Sequence, residues 1–194
     1  GNVGANVLEG GAGDDLILGG GGDDRIDGGD GIDTASYSDV TEAAIVGYTV
    51  TVDLSSGTEQ DTGGSDILTN IENLTGSQFD DSLTGDANDN LLIGGRGDDF
   101  FDGGSGTDTV SYEDVAREAD SGYTVTVDLS KDSVAQDTGV AGTDTLTNIE
   151  NLTGSDYDDS LTGDANGNVL IGGAGNDALA GGSGRCLVGT FGLL

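Results

Sequence analysis

A single apolar position recurs every nine residues along most of this chain. Fourteen nine-residue windows cover residues 1–36, 67–111 and 145–189, and the eighth residue of every window is apolar. Glycine opens most windows, and the sixth residue nearly always carries a side-chain oxygen. Because successive side chains of a strand point to opposite faces, the triplet centred on the eighth residue predicts a short strand with one inward side chain. The pattern therefore predicts an all-β chain with a glycine-rich turn before each strand.

Two segments between these arrays, residues 37–66 and 112–144, lose the nine-residue period but keep the character of strands. Each contains TVTVDL, in which apolar and polar residues alternate strictly, as is typical of a half-buried strand. The whole unit is duplicated, since GYTVTVDLS at 47–55 returns at 122–130. We expect both segments to add irregular coils to one continuous solenoid, followed by a short tail at 190–194.

The windows share the pattern GGxGxDxUx, in which U is a large apolar residue. The best matches are GGAGDDLIL, GGGGDDRID and GGRGDDFFD, which begin at residues 10, 19 and 94. In this pattern the sequence resembles the RTX, or hemolysin-type, calcium-binding nonapeptide repeats of secreted bacterial proteins. The resemblance implies a parallel β-roll that binds calcium. It also implies export in an unfolded state, folding outside the cell and an extracellular location.

Each position of the window has a chemical role in such a roll. Glycines at positions one, two and four allow positive φ, which leaves carbonyl oxygens facing a common point. Two windows make one coil, so windows 18 residues apart stack with their sixth residues side by side. Calcium suits this arrangement because it takes about six to eight carboxylate and carbonyl oxygens at flexible geometry. The predicted calcium ligands are the sixth-position residues Asn6, Asp15, Asp24, Asp33, Asp81, Asn90, Asp99, Asp108, Asp159 and Asp177.

Some windows depart from the pattern. Phe79 and Tyr157 replace the fourth glycine, which predicts turns of a different shape, whereas Asn88 stands there as the residue next most tolerant of positive φ. Cys186 is the sixth residue of the last window, and a thiol is a poor ligand for a hard cation. We therefore expect the last site to be weak or empty and the last coil to fray.

The charge of the chain excludes several kinds of function. With 37 acidic and 5 basic residues the net charge is −32, which opposes binding to nucleic acid or to anionic lipid. No apolar run is long enough to insert into a membrane. The absence of histidine excludes Ser-His and Cys-His nucleophile pairs. High charge with modest hydrophobicity is close to the composition of disordered chains, so a bound cation is the expected source of folding free energy.

Three functions differ in what they require of the chain. A structural calcium-binding module needs only the repeats. An adhesive or carbohydrate-binding module would need exposed aromatic residues, and Tyr37, Tyr48, Tyr112 and Tyr123 could stack on a polysaccharide, although packing between strands is the better interpretation. An enzyme would need a carboxylate pair that stands out from the repeat, so we expect no catalysis here. The chain opens inside a repeat, and we expect a catalytic or adhesin domain elsewhere in a longer parent protein.

Overall fold

A computed structural model describes residues 1–39, 49–113 and 124–189, which form a roll of short strands. Within these stretches there is no α-helix, and therefore no helix that could cross a membrane. The first stretch contains β1 (Val7–Ala12), β2 (Leu16–Leu18), β3 (Arg25–Asp30) and β4 (Thr34–Ser36). The second contains β5 (Thr51–Asp53), β6 (Gln60–Asp61), β7 (Ser65–Thr69), β8 (Asn73–Thr75), β9 (Ser82–Thr84), β10 (Leu91–Ile93), β11 (Phe100–Asp102) and β12 (Thr109–Ser111).

The third stretch repeats the arrangement of the second and adds one 3-10 turn. It contains β13 (Thr126–Asp128), the 3-10 turn (Leu129–Lys131), β14 (Gln136–Gly139), β15 (Gly142–Thr147), β16 (Asn151–Thr153), β17 (Ser160–Thr162), β18 (Asn168–Ile171), β19 (Ala178–Ala180) and β20 (Cys186–Gly189). The predicted tail at 190–194, Tyr48 and Tyr123 lie outside the described residues.

The strands form two long sheets and one short sheet. Their orders are β1-β3-β7-β6-β5-β9-β11-β15-β14, β2-β4-β8-β10-β12-β16-β18-β20 and β13-β17-β19. Within the arrays, parallel strands pair at a spacing of 18 residues, as Leu8 pairs with Ile26 and Leu74 with Leu92. The predicted all-β class and its parallel β-roll are therefore confirmed.

The eighth residues of the windows form one apolar core between the sheets. Leu74, Leu92, Val110, Leu152 and Leu170 follow one another along the second sheet and are fully buried. Burying one such side chain contributes roughly 1.5 to 3 kcal/mol. A slip of one residue would turn every eighth side chain outward, so the apolar period specifies the register strongly.

The two connecting segments contain the predicted strands but are not simple coils. β5 pairs in parallel with β9 and places Val52 beside Leu83, as another coil would. However, β6 runs antiparallel to both β5 and β7, and β14 runs antiparallel to β15. Each connector therefore combines a strand that stacks on the roll with an inserted antiparallel strand. In the first connector the chain reverses at Gly63, which adopts φ +93° in the three-residue loop between β6 and β7.

Candidate metal sites

The sixth residue of a window stands at the end of its turn and connects neighbouring coils. In the turn at residues 94–99, Asp99 Oδ1 accepts a hydrogen bond from the Asp81 N–H at 2.9 Å. The N–H of Asp99 donates in turn to Asp144 Oδ1 at 3.0 Å. Repeated from coil to coil, these bonds form columns of carboxylates and amides along the roll.

All five predicted pairs of sixth residues lie next to each other. In each pair the backbone N–H of the first residue donates to a side-chain oxygen of the second. The distances are 2.8 Å for Asn6 to Asp24, 2.8 Å for Asp15 to Asp33, 2.9 Å for Asp81 to Asp99, 2.8 Å for Asn90 to Asp108 and 3.0 Å for Asp159 to Asp177. The spacing of 18 residues thus brings the predicted residues together in space.

Every GGxGxD turn holds one buried carboxylate oxygen without a hydrogen-bond partner in the described part of the chain. The six turns begin at glycines 10, 19, 28, 94, 103 and 172, and we call them the open turns. The oxygens are Oδ2 of Asp15, Asp24, Asp33, Asp99, Asp108 and Asp177. Leaving a buried acceptor unpaired costs about 1 to 3 kcal/mol, and more for a charged group. Each open turn therefore favours either a cation beside this oxygen or a proton on the carboxyl group.

The first glycine of an open turn leaves space beside this oxygen. A Cβ atom added to Gly10 would lie 2.7 Å from Asp15 Oδ2 and 2.6 Å from the Gly28 carbonyl oxygen of the next coil. A side chain at this position would fill the space between a carboxylate and a backbone carbonyl. Both are hard oxygen ligands of the kind that calcium takes.

The three turn glycines are needed for two different reasons. In the turn at 94–99, Gly95 and Gly97 adopt φ of +97° and +120°. Gly94 is not among the described residues with positive φ, but a Cβ there would overlap Asp99 Oδ2. The expectation of positive φ at all three positions is therefore corrected, since the first glycine is required by space alone.

Burial makes the ionised form of Asp99 and Asp108 unfavourable when no cation is bound. Burial raises the pKa of Asp99 to about 8; the hydrogen bond from the Asp81 amide opposes this, and the Asp144 carboxylate adds to it. Burial also raises the pKa of Asp108 to about 6, with the Glu150 carboxylate adding to the effect. A cation beside Oδ2 would reverse both effects because it stabilises the charged form.

Two turns with an aromatic fourth residue are closed by serine. The Ser77 N–H donates to Asp81 Oδ2 at 2.5 Å, and the Ser77 hydroxyl lies 3.0 and 3.1 Å from the two carboxylate oxygens. Ser155 makes the same set of contacts with Asp159. Their different shape, predicted from the aromatic residue, is seen in the lack of positive φ at any of their described residues. We call residues 76–81 and 154–159 the serine-closed turns.

Asparagine at the sixth position is also satisfied by protein groups. Asn90 Oδ1 accepts from the Asp86 N–H at 2.8 Å, and Asn90 Nδ2 donates to the Glu72 carbonyl at 2.7 Å. Asn6 Oδ1 accepts from a backbone N–H of its own turn at 2.8 Å. Asn88 donates to the Asp86 carboxylate and is not among the described residues with positive φ, contrary to expectation. A side-chain amide offers both a donor and an acceptor, so these turns close without a charged sixth residue.

Sequence reasoning missed two aspartates that continue the columns into the connectors. Asp66 and Asp144 are 1% and 0% exposed, and each accepts a hydrogen bond from the sixth residue of a neighbouring coil. The sequence does carry a signal for them, because leucine follows each aspartate by two residues, as the eighth residue follows the sixth in a window. The segments are DTGGSDILT at 61–69 and GVAGTDTLT at 139–147. Leu68 precedes Leu74 by six residues rather than nine, so these windows fall outside the register of the arrays.

The donors in the open turns suit calcium. No three acidic or cysteine side chains come together as a metal cluster in the stretches that the structure describes. A cation in an open turn would take one carboxylate oxygen and complete its shell from backbone carbonyls. Calcium accepts such a shell, whereas zinc prefers nitrogen or sulfur and magnesium requires a stricter octahedron.

Comparison with known families agrees with this chemistry. The family model of the RTX calcium-binding nonapeptide repeat (4 copies) matches residues 1–35, 75–110 and 153–185, more than half of the chain. The chain belongs to the RTX calcium-binding nonapeptide repeat family. The resemblance seen in the windows is thereby confirmed, and the three matched RTX ranges contain all six open turns. The comparison with curated proteins found no match.

The last RTX window keeps its coil although it lacks a carboxylate. β20 pairs with β18 and places Cys186 beside Asn168, so the expectation of a frayed coil is corrected. The Asn168 N–H donates to the Arg185 carbonyl at 2.9 Å, whereas the equivalent Asn90 N–H donates to the Asp108 carboxylate. Backbone pairing thus holds this coil in place, and its turn differs from an open turn in lacking a carboxylate at the sixth position.

Cys186→Asp should create one additional calcium site in this RTX window. The glycines of an open turn are present at positions 181, 182 and 184, and the new carboxylate could accept from the Asn168 N–H. We expect one more calcium ion per chain in equilibrium dialysis, and slower hydrogen exchange of residues 172–189 in calcium. Cys186→Ser, which adds no charge, is the control. The parental stoichiometry and exchange in the aspartate variant would contradict the prediction.

Proposed function

We propose that this chain is a calcium-binding structural module of a secreted protein, and that it folds on binding calcium outside the cell. The observation that carries the proposal is the buried carboxylate oxygen of each open turn, which lacks a partner among the described residues. Membership of the RTX family supports calcium as the cation. Binding free energy then becomes folding free energy, because the site exists only when the coils are stacked.

The proposed ligands are Oδ2 atoms of the open turns together with backbone carbonyl oxygens. The carboxylates come from Asp15, Asp24, Asp33, Asp99, Asp108 and Asp177. The other four residues predicted from spacing lie in the same columns, but their side chains already accept hydrogen bonds within their own turns. These four are Asn6, Asp81, Asn90 and Asp159.

Folding outside the cell is supported by the composition of the sites. A site with one carboxylate and several neutral carbonyls falls in the weak range of extracellular modules, about 10⁻⁴ to 10⁻³ M, because affinity follows the number of charged ligands. Such sites fill where calcium is abundant. Without calcium the net charge of −32 opposes compaction, which suits export of an unfolded chain.

A structural role is favoured over sugar binding and over catalysis. Tyr37 and Tyr112 are 0% and 2% exposed, so they pack in the core and cannot stack on a polysaccharide. Each open-turn aspartate has equivalents in the other open turns, whereas a catalytic pair would be distinct. We propose that any catalytic or adhesive activity belongs to another part of the parent protein.

Calorimetric titration with calcium tests the proposal through two matched variants. Asp99→Ala should lower the number of calcium ions by about one per chain and lower the melting temperature in calcium, because it removes the carboxylate of one open turn. Asp132→Ala removes the same charge from an exposed position and should leave both values near those of the parent. Equal losses in the two variants would mean that general acidity, and not the turn, attracts the ions.

A further inference from the structure

The open turns and the serine-closed turns present the same aspartate to different groups. In an open turn, position two is a glycine with positive φ, such as Gly95 at +97°. In a serine-closed turn, position two is Ser77 or Ser155, and its N–H points at the Oδ2 atom that stays free in an open turn. Residue two therefore determines whether the carboxylate meets a donor from its own turn.

The serine is held firmly for this contact. Ser77 is 3% exposed, and its Oγ accepts a hydrogen bond from the Phe79 N–H at 3.2 Å. The hydroxyl hydrogen is thereby directed to the Asp81 carboxylate, whose Oδ1 also accepts from the Val50 N–H at 3.0 Å. Both oxygens of Asp81 are satisfied in a buried turn.

The second unit repeats every part of this arrangement. Ser155 is 2% exposed and accepts from the Tyr157 N–H at 3.2 Å. Asp159 Oδ1 accepts from the Val125 N–H at 2.9 Å. The contact is therefore a feature of the duplicated unit and not of one local sequence.

We propose that the serine-closed turns bind no cation, because Ser77 and Ser155 take its place. This inference rests on the proposed calcium binding at the open turns and assigns each sixth-position aspartate to one of two kinds. Charge-assisted hydrogen bonds from an N–H and a hydroxyl stabilise the carboxylate and offset part of the burial that raises the pKa of Asp81 and Asp159. A calcium ion would have to displace both donors before it reached the oxygen. The calcium dependence of the roll is thus confined to the open turns.

Rebuilding a serine-closed turn as an open turn tests the proposal. Ser77→Gly with Phe79→Gly converts residues 76–81 to GGQGDD, and Ser155→Gly with Tyr157→Gly converts the second turn. Titrated with calcium chloride, each rebuilt chain should bind one ion more than the parent, and the chain with both turns rebuilt should bind two more. Gln78→Gly, a glycine placed at an exposed position of the same turn, is the control and should bind the parental number. A parental count in the rebuilt chains would overturn the proposal.

A second variant decides the matter if a rebuilt turn fails to fold. Asp81→Asn in the otherwise unchanged chain should keep the parental number of calcium ions, while its melting temperature in calcium falls by several degrees. Loss of one ion from Asp81→Asn would overturn the proposal. A parent chain that binds no calcium would instead refute the proposed function, so the two failures are distinguishable.

Discussion

Removing calcium with EDTA should abolish most of the β-sheet circular dichroism of this chain, and adding calcium back should restore it. Six buried carboxyl oxygens then lack a partner among the described residues, each at a cost of about 1 to 3 kcal/mol. Together these penalties are comparable with the whole stability of a typical domain, about 5 to 15 kcal/mol. We expect half-restoration of the signal at about 10⁻⁴ to 10⁻³ M calcium.

Magnesium is the matched control for this titration. It has the same charge as calcium but requires near-ideal octahedral geometry and gives up its bound water reluctantly, whereas calcium accepts flexible shells of carboxylate and carbonyl oxygens. Magnesium at the same concentration should therefore restore little of the β-sheet signal. Identical spectra and melting temperatures in EDTA and in calcium would show that the roll does not depend on the ion.

The apolar period carried most of the information about the fold. One apolar residue in nine, repeated without a gap within each array, predicts which side chain of each array strand is buried and which of these strands pair. Leu92 lies between Leu74 and Val110 in the second sheet for this reason. The antiparallel strand β6 could not be predicted in the same way, because Gln60 and Asp61 carry no apolar alternation and pair through backbone hydrogen bonds.

The sequence spacing predicted which sixth-position residues lie next to each other, but not which of their side chains are left without a hydrogen-bond partner. Spacing placed Asp81 and Asp99 side by side, and the structure shows them so. It treated them as equivalent because both are sixth-position aspartates. The difference arises at position two of the turn. Ser77 donates two hydrogen bonds to Asp81 Oδ2, from its N–H and from its hydroxyl. In the open turns position two is a glycine with positive φ, and the aspartate Oδ2 has no hydrogen-bond partner among the described residues. A hydrogen bond within the turn therefore determines whether the aspartate oxygen is free to bind a cation, and the nine-residue period does not reveal such a bond.

The stability of the calcium-free chain should fall as the pH rises. An unfolded aspartate has a pKa near 3.9, whereas folding without calcium raises the pKa of Asp108 to about 6 and that of Asp99 to about 8. Between about pH 4 and pH 8 the folded chain therefore binds more protons than the unfolded chain, and the free energy of unfolding decreases with pH. In EDTA we therefore expect more of the β-sheet circular dichroism to remain at pH 5 than at pH 8.

Calcium should reverse this slope, because it holds the same carboxylates ionised and competes with protons for them. General relief of the net charge of −32 on acidification would also stabilise the calcium-free chain, so the buried groups need their own control. Asp99→Asn should reduce the difference in β-sheet circular dichroism between pH 5 and pH 8 in EDTA, because one of the raised pKa values is removed. Asp132→Asn, with the same change of charge at an exposed position, should leave the difference unchanged. A calcium-free β-sheet signal that rises with pH, or equal effects of the two asparagine variants, would contradict the assignment of this pH dependence to the open turns.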